Sequence, residues 1–212
     1  MSYLATLGKL SVTKASTKTN VAVSTFYNDK PVVIYFIRRF GCAICRWSVK
    51  DYQKLVPILA DKVNLVVVAP EWHGYDDFVK GAYLGDIEMY IDEDKALYKA
   101  IGFNRYNAFT VMGALVDSKV LAINKMAKNE GIEGNFSGDK LTKGGLIVVD
   151  KGGEHVLFEF KQESAGDHCP PADILKGQFH WSQITHRNNG FSTEHVSRFA
   201  KLNHGLGRSR MQ

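Results

Sequence analysis

The chain has 212 residues with 45% apolar and 23% charged composition, enough to bury a full core without disulfide staples. Three cysteines exclude a secreted disulfide framework and point to a reducing compartment, the cytosol. The net charge of +5 is uneven: five Lys/Arg against Glu194 from Gln178 to Gln212 put +4 in the tail and leave +1 elsewhere, so no basic face for nucleic acid is demanded.

The first twenty residues lack a continuous apolar stretch, so no signal peptide is expected. No run approaches the roughly 18 apolar residues of a membrane span, and stable membrane insertion is not expected. Residues 1–30 are polar and mixed, with a short helix and a strand around Val21 to Phe26. The run Val32 to Ile37 is apolar on both faces and reads as a buried central strand. After the turn Arg38-Arg39-Phe40-Gly41, Tyr52, Leu55, Val56 and Leu59 repeat at helical spacing, predicting a helix over 43–60. Val63 to Ala69 is a second buried strand, and strand–helix–strand with short joints is a parallel unit.

Ile87 to Ile91 is a short strand, and Asp92 caps a helix from Glu93 to Ile101. A helix is expected over 114–129, followed by a glycine-rich loop. Strands return at Leu146 to Val149 and Val156 to Phe160, joined by a turn at Lys151-Gly152-Gly153. Pro170-Pro171 marks a boundary, with a terminal helix starting at Ala172. The chain therefore reads as an α/β domain over 1–176, a central mixed sheet flanked by helices, and a basic, weakly ordered tail over 177–212.

Cys42-Ala43-Ile44-Cys45 stands where the first long strand gives way to the helix. Unpaired amides and the positive dipole end of a helix stabilise a thiolate there. Arg38 and Arg39 act in the same direction, and Cys45 lies one turn on. The pattern gives an attacking thiol and a resolving thiol. Half of a zinc site would need two more ligands, and adjacent His168 and Cys169 are poorly spaced for that. Two inert buried cysteines are the other alternative. Cys169 reads as a bystander and His73 as a surface residue.

The run Arg38 to Trp47 resembles the peroxiredoxin-like 2 family. Tyr90 to Lys95, Leu97-Tyr98, Gly102 to Asn107, Gly131 to Asp139, Gly144-Gly145-Leu146, Lys151-Gly152-Gly153 and Ser164 to Asp167 follow in the family's order, so the likeness covers about 1–176. It implies a thioredoxin-like, peroxiredoxin-like fold and a thiol reductase with Cys42 and Cys45 as its catalytic pair. It further implies thioredoxin as partner, NADPH as an indirect electron source through thioredoxin reductase, no tightly bound cofactor and no metal. The implied substrates are prostaglandin H2 and prostamide H2, lipid endoperoxides reduced to F-type products. Arg38, Arg39 and Arg105 are candidates for stabilising charge on oxygen, and Phe40, Trp47 and Phe103 for lining an apolar cleft. A general peroxide reductase or redox regulator shares every cysteine with this reading, and a non-catalytic binding module is the third alternative.

Overall fold

The structure is a computed structural model that describes residues 3–106 and 117–175. The first compact unit runs to His168, and Cys169 opens a second. The basic tail expected over 177–212 lies outside the described residues, as does the start of the helix expected from 114.

In chain order the first unit contains α1 (Leu4–Leu7), β1 (Ser11–Lys14), β2 (Thr19–Ala22), β3 (Val32–Phe36), α2 (Ala43–Tyr52) and α3 (Val56–Leu59). It continues with β4 (Asn64–Ala69), α4 (Tyr75–Lys80), β5 (Glu88–Ile91), α5 (Ala96–Ile101), α6 (Ser118–Asn129), β6 (Gly145–Val149) and β7 (Val156–Lys161). The described part of the second unit carries α7 (Pro171–Leu175). The strands form one mixed sheet in the order β2-β1-β5-β4-β3-β6-β7. β3, β4 and β5 are parallel, and β1, β6 and β7 each join antiparallel to their inner neighbours.

β3 is apolar throughout because both of its faces are covered. Val32, Ile34 and Phe36 point into a core shared with α1 and α5, where Leu4, Leu7, Leu97, Tyr98 and Ile101 pack. Tyr35, one residue out of phase, meets Tyr52 of α2 edge-on at 4.8 Å on the other face. The Tyr98 hydroxyl donates to the Ile37 carbonyl at 2.7 Å and approaches that of Val68 at 3.0 Å. It thereby pins the C-terminal ends of β3 and β4, directly before Arg38.

Three elements differ from expectation. The strand expected around Val21 to Phe26 is β2 followed by a 3-10 turn over Val23–Phe26. Val23 and Phe26 are three apart and both buried, which a 3-10 turn achieves and a strand of period two does not. The helix over 43–60 is interrupted by a 3-10 turn at Gln53–Leu55. Pro57 has no N–H for the Gln53 carbonyl, which accepts from Val56 instead. The helix after Asp92 begins at Ala96, because Lys95 takes a left-handed conformation with φ 55°. Asp92 still caps it, its carboxylate accepting from the amides of Ala96 at 2.9 Å and Leu97 at 2.8 Å.

Candidate active site

Cys42 is the N-cap of α2, with extended backbone (φ −81°, ψ 117°). Its sulfur takes the part an Asp or Ser oxygen usually plays there, accepting from the Cys45 amide at 3.4 Å. The Arg38 guanidinium donates to the same sulfur through Nη2 at 2.9 Å. Cys42 is 5% exposed and Cys45 fully buried. The Cys45 thiol hydrogen bond, the Arg38 charge, the Cys45 amide and the Arg39 charge hold the Cys42 thiol well below its ordinary range, against the cost of burial. The same hydrogen bond, with burial and the neighbouring negative sulfur, holds Cys45 well above it. These effects favour the thiolate at Cys42 and keep the proton on Cys45.

Arg39 does not hydrogen-bond the sulfur. Its Nη1 donates to the carbonyls of Asn135 at 2.6 Å and Ser137 at 2.7 Å, holding the loop after α6 beside the dithiol turn. The Asn135 amide returns a bond to the Gly41 carbonyl at 2.7 Å. Arg46, one turn into α2, donates to the carbonyls of Phe40 and Glu133, both at 2.8 Å. The approach is so close that a Cβ on Gly41 would meet Asn135 and Ser137, and one on Gly134 would meet Ala43. Arg105 is not at the thiol: it pairs with Asp139 at 3.1 Å. Asp139 also accepts from Lys95 at 2.6 Å, the Thr142 hydroxyl at 2.8 Å and the Leu141 amide at 2.8 Å, fastening the far end of that loop.

Between turn and loop lies a cleft of about 340 Å³ lined by Arg38, Arg39, Cys42, Ile44, Tyr106, Val120, Asn124, Asn135, Phe136, Lys140 and Ala165 among others. This volume suits one small ligand. Its lining carries three cations and no carboxylate. Phe136 is 79% exposed, with Lys140 Nζ over its ring at 5.1 Å.

None of the aromatics expected in the cleft lines it. Phe40 packs against Tyr75 and Phe78, Phe103 against Phe36 and Tyr98, and Trp47 donates to Glu130 with its ring edge on His168. Core burial claims all three. Of the cleft's contributors from afar, Tyr106, Gly134, Asn135 and Phe136 lie in two of the family-like motifs, Lys140 follows directly after one, and none carries a chemical pattern by itself. His73 is exposed and bonds Ser137 Oγ at 3.1 Å. In the second unit, burial and then the Asp173 charge push the Cys169 thiol up to about 12, which makes it a poor nucleophile.

The model of the AhpC/TSA antioxidant enzymes matches residues 52–164, starting just past the dithiol. The prostamide/prostaglandin F synthase of Salmo salar is 45% identical over 159 residues, 74% of this chain and 78% of that protein. Its namesake in Homo sapiens is 41% identical over 174 residues, 82% and 87% of the two chains. This chain belongs to that peroxiredoxin-like family. The fold agrees: reduced Prx3 of Vibrio vulnificus, solved in complex with H2O2, superposes with a TM-score of 0.56 at 15% identity, covering 81% of this chain and 95% of that one. Peroxiredoxin Q of Xanthomonas campestris gives 0.53 at 15% identity, covering 76% and 86%. The family member described here is a thiol oxidoreductase with a thioredoxin-like fold. Among its described residues no helix is long and apolar enough to cross a membrane.

Proposed function

We propose that this oxidoreductase reduces the oxygen–oxygen bond of a lipid endoperoxide, prostaglandin H2 or prostamide H2, to F-type products through a Cys42–Cys45 disulfide cycle. The observation that carries the reading is a thiolate-favouring cysteine, bonded by Arg38, with a protonated cysteine one turn on and an apolar, cation-lined cleft above it. Relatives named for the same reaction, at 40–45% identity, support the choice of substrate.

The Cys42 thiolate attacks one oxygen, forming an S–O bond as the O–O bond breaks. The departing oxygen leaves as an alkoxide and takes a proton. Cys45 then attacks the Cys42 sulfur, expels the second oxygen and supplies its own proton to it. The enzyme gives up two electrons and keeps a disulfide, and the substrate gains two hydroxyls. Thioredoxin reopens the disulfide by exchange, with NADPH oxidised upstream on thioredoxin reductase. Cytosolic reducing conditions suit this cycle.

The test is NADPH oxidation with thioredoxin and its reductase present, offering prostaglandin H2, prostamide H2 and hydrogen peroxide separately. Turnover that favours the endoperoxides and vanishes in Cys42→Ser is expected. In Cys45→Ser a single oxidising event at Cys42 without thioredoxin-driven turnover is expected. A preference for hydrogen peroxide would make the chain a general peroxide reductase. Failure with all three would refute the reading.

A further inference from the structure

Reduction of an O–O bond creates negative charge on the departing oxygen, and the dithiol does not supply the first proton. Cys45 must keep its own for the second oxygen. Some other group has to face the cleft with a proton to donate.

Tyr106 answers that description. It is 7% exposed, lines the cleft with Arg38 and Cys42, and its hydroxyl is buried without a hydrogen-bond partner. Its backbone is fixed at the cleft wall, the amide donating to the Leu141 carbonyl at 2.7 Å. The Lys143 ammonium covers its ring at 4.8 Å. Arg38 Nε is likewise buried without a partner, although Nη2 of the same guanidinium holds Cys42. The hydroxyl is close enough to Arg38 to feel its charge, yet their geometry makes no good hydrogen bond.

A guanidinium only donates. Should the two groups close up, Tyr106 would accept from Arg38 and its own proton would still lack an acceptor. A buried donor left unsatisfied is costly, and native proteins keep few of them. Arg38 bonds the thiolate and Tyr106 lines the same cleft, so their two unpaired donors offer a seat for an oxygen there. Burial, opposed by Arg38, raises the phenol and keeps it protonated through neutral pH.

We infer that Tyr106 is a catalytic residue, the hydrogen-bond and proton donor to the oxygen that leaves when Cys42 attacks. The step balances: the Cys42 thiolate gains the S–O bond, the O–O pair goes to the leaving oxygen, and that oxygen takes the phenol proton. The phenolate, beside Arg38, is reprotonated from water. Cys45 then completes the cycle with its own proton, so one proton is drawn from solvent for each disulfide formed. This assignment rests on the reading of the dithiol as an O–O reductase.

The test is a single-turnover measurement of Cys42–Cys45 disulfide formation by rapid quench and mass analysis, comparing the full-length wild type with Tyr106→Phe. The oxidants are prostaglandin H2, hydrogen peroxide and an electron-poor peracid. Alkylation of Cys42 by iodoacetamide, which needs no proton, runs alongside. We expect the endoperoxide and hydrogen peroxide rates to fall roughly 100-fold. The peracid, whose leaving oxygen is already a weak base, should lose less than about tenfold, and alkylation should stay within about twofold. Equal oxidation rates in both proteins overturn the assignment. So does a parallel fall of alkylation and all three oxidants, the mark of a structural role. A wild type that forms the disulfide with none of the oxidants removes the O–O reading as well. Replacing Tyr106 by 3,5-difluorotyrosine keeps the residue's shape with a more acidic phenol. It should move the basic limb of the rate profile to lower pH, and an unmoved limb counts against the donor role.

Discussion

Replacing Arg38 with Met removes the cation that touches the thiolate while keeping an unbranched apolar stem. The bond lost is charge-assisted, 2.9 Å long and buried, so little solvent screening applies. Such bonds are worth roughly 1.5–3 kcal/mol, which at about 1.4 kcal/mol per pKa unit raises the Cys42 thiol by about 1–2 units. Below both pKa values each unit removes about nine-tenths of the thiolate. The more basic thiolate is also a better nucleophile, with a Brønsted coefficient of about 0.4–0.5, so each unit costs only about 3–4-fold in rate. At a pH below both values, reaction with a small neutral disulfide should therefore slow by roughly 3–15-fold. Well above the variant's pKa the order reverses and the variant should react faster. The assay is the pH profile of enzyme oxidation by that disulfide, read as loss of the Cys42 thiol by mass. Profiles for wild type and Arg38→Met that share a midpoint within about 0.3 units would refute the claim that Arg38 sets the thiolate.

Two further outcomes are expected. Asp139 is held below the usual carboxylate range, burial opposing the Lys95, Leu141 and Thr142 hydrogen bonds, so it stabilises the fold above its unfolded pKa of about 3.9 and loses this as pH falls below that. Asp139→Asn should cost about 1–3 kcal/mol at pH 7 and less at pH 3, read from urea midpoints, and equal losses at both would contradict the linkage. Lys140 lines the cleft with its ammonium over the Phe136 ring and carries no ion pair among the described residues, so Lys140→Ala should raise KM for the carboxylate-bearing prostaglandin H2 by about 3–10-fold. The neutral prostamide H2 should be unaffected, and equal changes for the two substrates would place the carboxylate elsewhere.

The centre of the fold was legible because burial on both faces leaves a plain mark. β3 and β4 are apolar runs of strand length, and the cysteines sit where that pattern turns helical. The edge left no such mark. β1 and β2 are four residues each, with Val12 alone buried between them, so no alternation announces them. α4 buries only Phe78, which is too little for a helical period. The dithiol itself was readable from spacing, since the chemistry is local to one helical turn. The cleft was not, because Arg39 meets Asn135 and Ser137 across nearly a hundred residues and only the folded chain brings them together. Phe40, Trp47 and Phe103 misled for a related reason: an aromatic side chain suits a lipid and a core equally, and sequence does not tell which neighbour it will find.

The bond between Arg38 and the Cys42 sulfur also bears on electron flow. It is charge-assisted only while that sulfur is negative; in the disulfide the buried guanidinium loses its counter-charge. Whatever free energy the contact gives belongs to the reduced form alone, and each 1.4 kcal/mol of it lifts the potential of the couple by about 30 mV. The residue that favours the thiolate thereby makes the oxidised enzyme a better oxidant. In the proposed cycle, recharging by an external dithiol becomes more favourable by the same amount, and the oxidised form is the less stable member.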